Sequence, residues 1–139
     1  MERIVDIHKA AGILIKDKKL LIVRARGKSF FISPGGKIEK GESAEQALVR
    51  ELAEELQIGV SIDALRSFGT WYAEATDQDN RYLQMDVFFV DAWQGDIVPS
   101  QEIEELRWIG ATVPKDIELS SIFAHDVVPM LATQGLISD

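Results

Sequence analysis

The chain predicts an α/β fold, a sandwich in which a mixed β-sheet lies between helices. Three observations carry that prediction. Apolar runs of strand length recur between Ile4 and Ala92. One long stretch, Ala44 to Leu56, has neither Gly nor Pro and is rich in strong helix formers. A second amphipathic pattern runs from about Ser121 to Gln134. Strands that alternate with helices must bury an apolar face on each side, which is the logic of an α/β sandwich.

Taken in order, Ile4 to His8 and Ala10 to Ile15 read as strand, followed by a polar Asp17-Lys18 turn. Leu20 to Ala25 is a second strand, and Ser29 to Ile32 leads into a Pro34-Gly35-Gly36 turn. Ser43 then offers an N-cap oxygen, and Gln46, three residues later, completes a capping box. In the helix that follows, Leu48, Leu52 and Leu56 recur every four residues and form one stripe toward a core. Ile62 to Ala73 contains strand material, Glu74 to Arg81 is a polar loop, and Tyr82 to Ala92 is a clear strand. Glu105 to Ile109 is short and extended and includes Trp108. In the last helix Pro129 lacks an N–H donor and kinks or splits the element.

Length and composition narrow the function classes. At 139 residues the chain is expected to be a single domain, 1–139, large enough to bury a core. A formal charge of −8 argues against gripping a nucleic acid polymer by its backbone. With no Cys, there is no disulfide framework, no thiol chemistry and no Cys-based zinc site. The longest apolar run, Ala10 to Ile15, is too short to span a membrane. The start MERIVDIHKA has no apolar signal-peptide core, so a soluble cytoplasmic protein is expected.

The segment from Gly36 to Ile58, GKIEKGESAEQALVRELAEELQI, holds the chemistry. Glu51, Glu54 and Glu55 relate as i, i+3 and i+4 and gather on one helix face. Such a face is often only a solvated surface. Here Glu51 and Glu55 form a like-charge pair at the spacing where opposite charges are usual, and Glu42 stands where it can close the same site from the loop side. A divalent cation gives like charges a reason to gather. A carboxylate cluster suits Mg²⁺, a hard ion that prefers oxygen ligands, with Mn²⁺ as a substitute. The metal in turn inverts the local field and admits a phosphate substrate. Two His and no Cys make a soft-ligand metal a poor fit.

Gly36, Glu42, Arg50, Glu51, Leu52, Glu54, Glu55 and Ile58 together resemble the Nudix box, G-x5-E-x7-R-E-U-x-E-E-x-G-U with U apolar. The departure is Gln57, where the family carries Gly. That position often needs a left-handed residue, and Gly59 is expected to take over the turn. The resemblance implies the Nudix α/β/α fold and metal-dependent hydrolysis of phosphoanhydrides. It makes Glu54 and Glu55 principal metal ligands. Glu51 becomes a ligand to a second metal or water, or the general base, and the Gly35 carbonyl a further ligand. Arg50 orients the glutamates, and Gly36 and Glu42 shape the loop. Similar chains also carry a metal-binding Glu shortly before a Trp such as Trp108. Glu105 and then Glu102 are the candidates for a catalytic role there, with Glu104 beside them.

Substrate contacts are less sharply marked. Arg24, Arg26 and Lys28 either pair with phosphate or decorate a strand edge. Phe30, Phe31, Trp71 and Tyr72 either stack on a base or belong to the core. Arg81 borders the Glu74 to Asn80 loop, a candidate lid, and His125 and Asp126 lie on the last helix. The compact length looks like the MutT-type members, which implies a nucleoside triphosphate, ribo or deoxy, cut to a monophosphate and pyrophosphate. ADP-ribose, nucleotide-sugar and dinucleoside-polyphosphate hydrolysis are the alternatives, with a non-catalytic nucleotide-binding module behind them. The expected partner is a small nucleotide, with no nucleic acid polymer and no membrane, and the protein a monomer or homodimer.

Overall fold

A computed structural model describes residues 4–74 and 81–139. Among them β1 spans Ile7–Ile13, β2 Ile15–Lys16, β3 Lys19–Ala25 and β4 Gly35–Lys37. Helix α1 covers Ala44–Leu56 and is followed by β5, Leu65–Glu74, β6, Tyr82–Val90, and β7, Ile103–Ile109. A π-helical turn, Phe123–Val127, leads into α2, Val128–Thr133.

The expected α/β sandwich is present, with its strands divided between two sheets. A mixed four-stranded sheet has the order β4-β1-β6-β5, and a three-stranded antiparallel sheet the order β2-β3-β7. Within the first, β1 runs parallel to β6 and antiparallel to β4. Alternation along the strands builds a core on each side. Leu20 and Ile22, with Val87 and Phe89, face the C-terminal helix and its Phe123, Val127 and Leu131. Leu21 and Val23, with Phe88 and Val90, face the Leu48, Leu52 and Leu56 stripe of α1. Each such buried side chain contributes about 1.5–3 kcal/mol. Strands buried on both faces read as continuous apolar runs, which is why Leu20 to Ala25 and Tyr82 to Ala92 were visible in the sequence.

Three expectations are corrected and a fourth takes a particular form. Ile4 to His8 and Ala10 to Ile15 are not two segments. Lys9 does not interrupt β1, because its side chain points from the same face as Ile7 and Ala11 without breaking the ladder. The Pro34-Gly35-Gly36 turn is instead the entry to β4, with Gly35 opposite Ala11 and Gly36 opposite Ala10. Gly59 does not take over the helix end. Gln57 itself adopts the left-handed conformation, with φ 58° and ψ 34°, and its N–H donates to the Ala53 carbonyl. The expected interruption near Pro129 is a change of winding, with a π turn at Phe123–Val127 giving way to α2 at Val128–Thr133. The helix widens just before the proline, where Val128 N–H reaches the Phe123 carbonyl. The candidate lid at residues 75–80 lies outside the described residues.

Candidate active site

The site is built where α1 lies against β4. Ser43 Oγ accepts from Gln46 N–H and the Gln46 side chain accepts from Ser43 N–H, so the helix starts where the capping box predicts. With the leucine stripe fixed to the core, Glu51 and Glu55 are turned toward β4. Glycine is required on the strand side for two different reasons. A Cβ on Gly35, at φ 137°, would collide with the Ala10 carbonyl of β1. A Cβ on Gly36 would stand 2.5–2.8 Å from the three carboxyl-group atoms of Glu51.

One guanidinium organises three carboxylates. Arg50 Nε and one terminal nitrogen donate to the two oxygens of Glu42 at 2.8 and 2.9 Å, a bidentate pair. Its other terminal nitrogen reaches Glu51 at 2.8 Å and Glu54 at 3.5 Å. A further bond to the Lys37 carbonyl, 3.1 Å, ties α1 to the end of β4. The Arg50 guanidinium, helped by the Glu39 N–H, holds the Glu42 carboxyl down at about 2. Arg50 in turn stays protonated, its own value raised chiefly by Glu42.

Glu55 is different. It is only 8 % exposed, and the Gly35 N–H donates to its Oε1 at 3.2 Å. Burial pushes its carboxyl up to about 8, with the charges of Glu51 and Glu102 adding to the shift. A buried carboxylate that faces further carboxylates carries a cost that a bound cation removes. The donor set also fits a hard cation: side-chain oxygens of Glu51, Glu54 and Glu55 on one helix turn, beside the Gly35 backbone. Among the described residues the side chains are not gathered into a ready chelate of three, since Arg50 holds Glu51 and Glu54.

Of the late glutamates, Glu102 is the one whose charge reaches Glu55. Its loop docks on the end of α1 through Ser100 N–H to the Glu55 carbonyl, 2.8 Å, and Val98 N–H to the Leu56 carbonyl, 3.0 Å. Glu105 belongs elsewhere. It pairs with Arg107 at 2.7 Å and Arg24 at 3.5 Å, and both arginines lie over the ring of Phe31 in the core beneath the C-terminal helix. Those guanidiniums, Arg107 first, hold the Glu105 carboxyl below its ordinary value. The expected first candidate, Glu105, is thus engaged with two arginines, while the charge of Glu102 acts on Glu55. Glu104 pairs with Arg26 at 3.4 Å.

Beside the carboxylates a cleft of about 140 Å³ opens on the other face of β1. Gly35 and Gly36 line it, with Ile7, Leu83 and Met85 on the sheet side and Phe30 opposite. Of the expected substrate contacts, Lys28 and Phe30 reach this cleft. Arg24 and Arg26 are engaged with glutamates and backbone carbonyls, Arg24 with Lys28 and Arg26 with Gln101. Tyr72 stands opposite Gln84 in the ladder, so it projects from the face opposite Leu83 and Met85, and stacks on Tyr82. Trp71 stacks on Phe68, and Phe31 is core. Arg81 is exposed at the start of β6, and His125 is exposed on the π turn. Lys9, Ser33 and Ser120 also line the cleft and were not singled out in the sequence. Lys9 carried a signal, a charge in the middle of an apolar strand; the two serines carried none.

Comparison with known proteins agrees with this geometry. The sequence model of the NUDIX domain matches residues 6–122. An 8-oxo-dGTP diphosphatase of Proteus vulgaris is 34% identical over 96 residues, covering 66% of this chain and 81% of the relative. An ADP-ribose pyrophosphatase of Methanocaldococcus jannaschii is 30% identical over 100 residues, covering 70% and 57%. The solution structure of the E. coli ORF135 protein superposes with a TM-score of 0.69 at 25% identity, covering 93% of this chain and 88% of that one.

Proposed function

The chain belongs to the Nudix family and is a nucleotide pyrophosphohydrolase, and from that premise we propose that it cleaves nucleoside triphosphates to a monophosphate and pyrophosphate. The observation that carries this reading is that Gly36 lines the cleft and has the Glu51 carboxyl group where a side chain of its own would stand. A base held in the cleft would direct its phosphates toward these carboxylates, which supports cleavage beside the α-phosphate. The cleft volume lies below the roughly 300–1,000 Å³ of pockets that enclose drug-sized ligands, so it suits one ring system and leaves the phosphates at its mouth.

Mg²⁺ is the cation this reading assigns, with Mn²⁺ as a substitute, held by Glu51, Glu54, Glu55 and the Gly35 carbonyl. When bound, it supplies charge neutralisation on the phosphate oxygens and a more acidic water. The rest falls to the chain. Arg50 fixes the rotamer of Glu51 and braces Glu54. The Gly35 N–H orients Glu55. Glu102, whose charge reaches Glu55, takes the proton of the attacking water as its oxygen joins phosphorus and the bridging oxygen leaves with pyrophosphate. The ADP-ribose pyrophosphatase relative supports a second reading, hydrolysis of a nucleoside diphosphate derivative at the same carboxylates.

The test is product release with and without Mg²⁺ across nucleoside triphosphates, ADP-ribose, nucleotide sugars and dinucleoside polyphosphates. Mg²⁺-dependent pyrophosphate from triphosphates is the expected result. Turnover confined to ADP-ribose moves the assignment to the second reading. Glu54→Gln should abolish turnover while the melting temperature holds; persistent turnover would refute the carboxylate assignment.

A further inference from the structure

The cleft contains a polar group without a partner among the described residues. Ser120 is only 9 % exposed and lines the cleft, and its Oγ makes no hydrogen bond among the described residues. Its backbone is held firmly. Ser120 N–H donates to the Phe31 carbonyl at 2.9 Å, and its carbonyl accepts the first bond of the C-terminal helix, from Ala124 N–H at 2.9 Å. A serine just ahead of a helix ordinarily turns its hydroxyl back onto the first-turn N–H groups, and this one does not. An unsatisfied buried hydroxyl demands an explanation. Its place in the wall of the cleft supplies one, because a ligand seated there brings the missing partner.

The other polar side chains of the lining decide what that partner is. Lys9 and Lys28 carry ammonium groups, which only donate, and Ser33 carries a second hydroxyl. Among the described residues no Asp or Glu lines the cleft. Such a wall is rich in donors and poor in strong acceptors. The bases differ in what they present: guanine and thymine offer carbonyl acceptors where adenine and cytosine offer amino donors.

We propose that Ser120 is a specificity-determining residue that donates to a base carbonyl and so selects keto bases over amino bases. The proposal rests on the triphosphate reading above, and matched substrates separate the two. ITP and ATP differ only at purine position 6, and UTP and CTP only at pyrimidine position 4. The wild type is expected to favour ITP over ATP and UTP over CTP by about tenfold in kcat/KM, through KM, the scale of one net hydrogen bond. Ser120→Ala is expected to bring both ratios close to one without lowering the melting temperature, and Ser120→Thr, which keeps the hydroxyl, to restore them. Unchanged ratios in Ser120→Ala overturn the proposal, as does an equal loss on all four substrates with a lower melting temperature. Calorimetric binding of IMP against AMP gives a readout free of turnover. Preference for IMP that Ser120→Ala abolishes supports the proposal even where no triphosphate is cleaved, and that outcome overturns the triphosphate reading alone. No preference for IMP in the wild type overturns the proposal.

Discussion

Two neighbouring glycines do opposite jobs, and substitution separates them. At Gly36 the obstacle to a Cβ is the far end of the Glu51 side chain, which can swing away. Gly36→Ala should therefore keep the fold and its melting temperature but pull Glu51 off Arg50, lowering turnover by about 100-fold, as small misplacements of catalytic groups do. At Gly35 the obstacles are backbone atoms of Ala10 and Ala11, and φ is positive. Gly35→Ala should cost about 3 kcal/mol in denaturant unfolding. Glu42 provides a test by pH. Its carboxyl is held at about 2, first by the hydrogen bond from Arg50 and then by the Glu39 N–H. A carboxyl depressed below its unfolded value of 4.5 stabilises the fold above that value and loses the effect as pH falls toward 2. The melting-temperature gap between wild type and Glu42→Gln should be constant above about pH 5 and close as pH approaches 2. A gap that persists at pH 2 would mean that the Arg50 pair is not its source.

At the scale of elements, legibility follows how local the signal is. Helix α1 begins at its predicted cap and ends at Leu56 because the capping box, the leucine period and the absence of Gly and Pro all act within one segment. Strand β4 reads as a turn in the sequence because two adjacent glycines look like one. Their real cause is the close approach of β1, far earlier in the chain, in the ladder that pairs Gly35 with Ala11 and Gly36 with Ala10, and it leaves no local mark. The π turn before Pro129 was likewise hidden. The proline announces a missing donor, but not whether the helix bends, breaks or widens to absorb it. Gln57 is a local misfit that the structure keeps in place, a left-handed non-glycine residue costing roughly 1 kcal/mol. Its side chain recovers part of that by donating to the Val98 carbonyl at 3.3 Å. Gln57→Gly should raise the melting temperature by about 2 °C with turnover unchanged. A fall would show that the Val98 contact outweighs the strain.

For the whole molecule, the site depends on where a distant loop lands. The sequence offered three glutamates within four residues, and spacing alone could not say which of them approaches the carboxylates of α1. The answer lies in tertiary contacts. Residues 98–102 dock on the exposed carbonyls at the end of α1, and Arg26 N–H anchors the Glu102 carbonyl to the strand beside it at 2.8 Å. Three residues later β7 is under way, and Glu105 emerges opposite Arg24 with its carboxylate drawn to Arg107, under the C-terminal helix. The two candidates thus serve different halves of the sandwich. Glu102→Gln should lower turnover by about 100-fold, the contribution of a general base, with little change in stability, because it removes a charge that only repels Glu55. Glu105→Gln should leave turnover within a few-fold and lower the melting temperature only slightly, because it weakens a partly exposed ion pair with Arg107 and Arg24. Measuring kcat and unfolding for both variants decides between them. If Glu105→Gln were the inactive one, the docking of the 98–102 loop would be holding the helix end in place without delivering a reacting group.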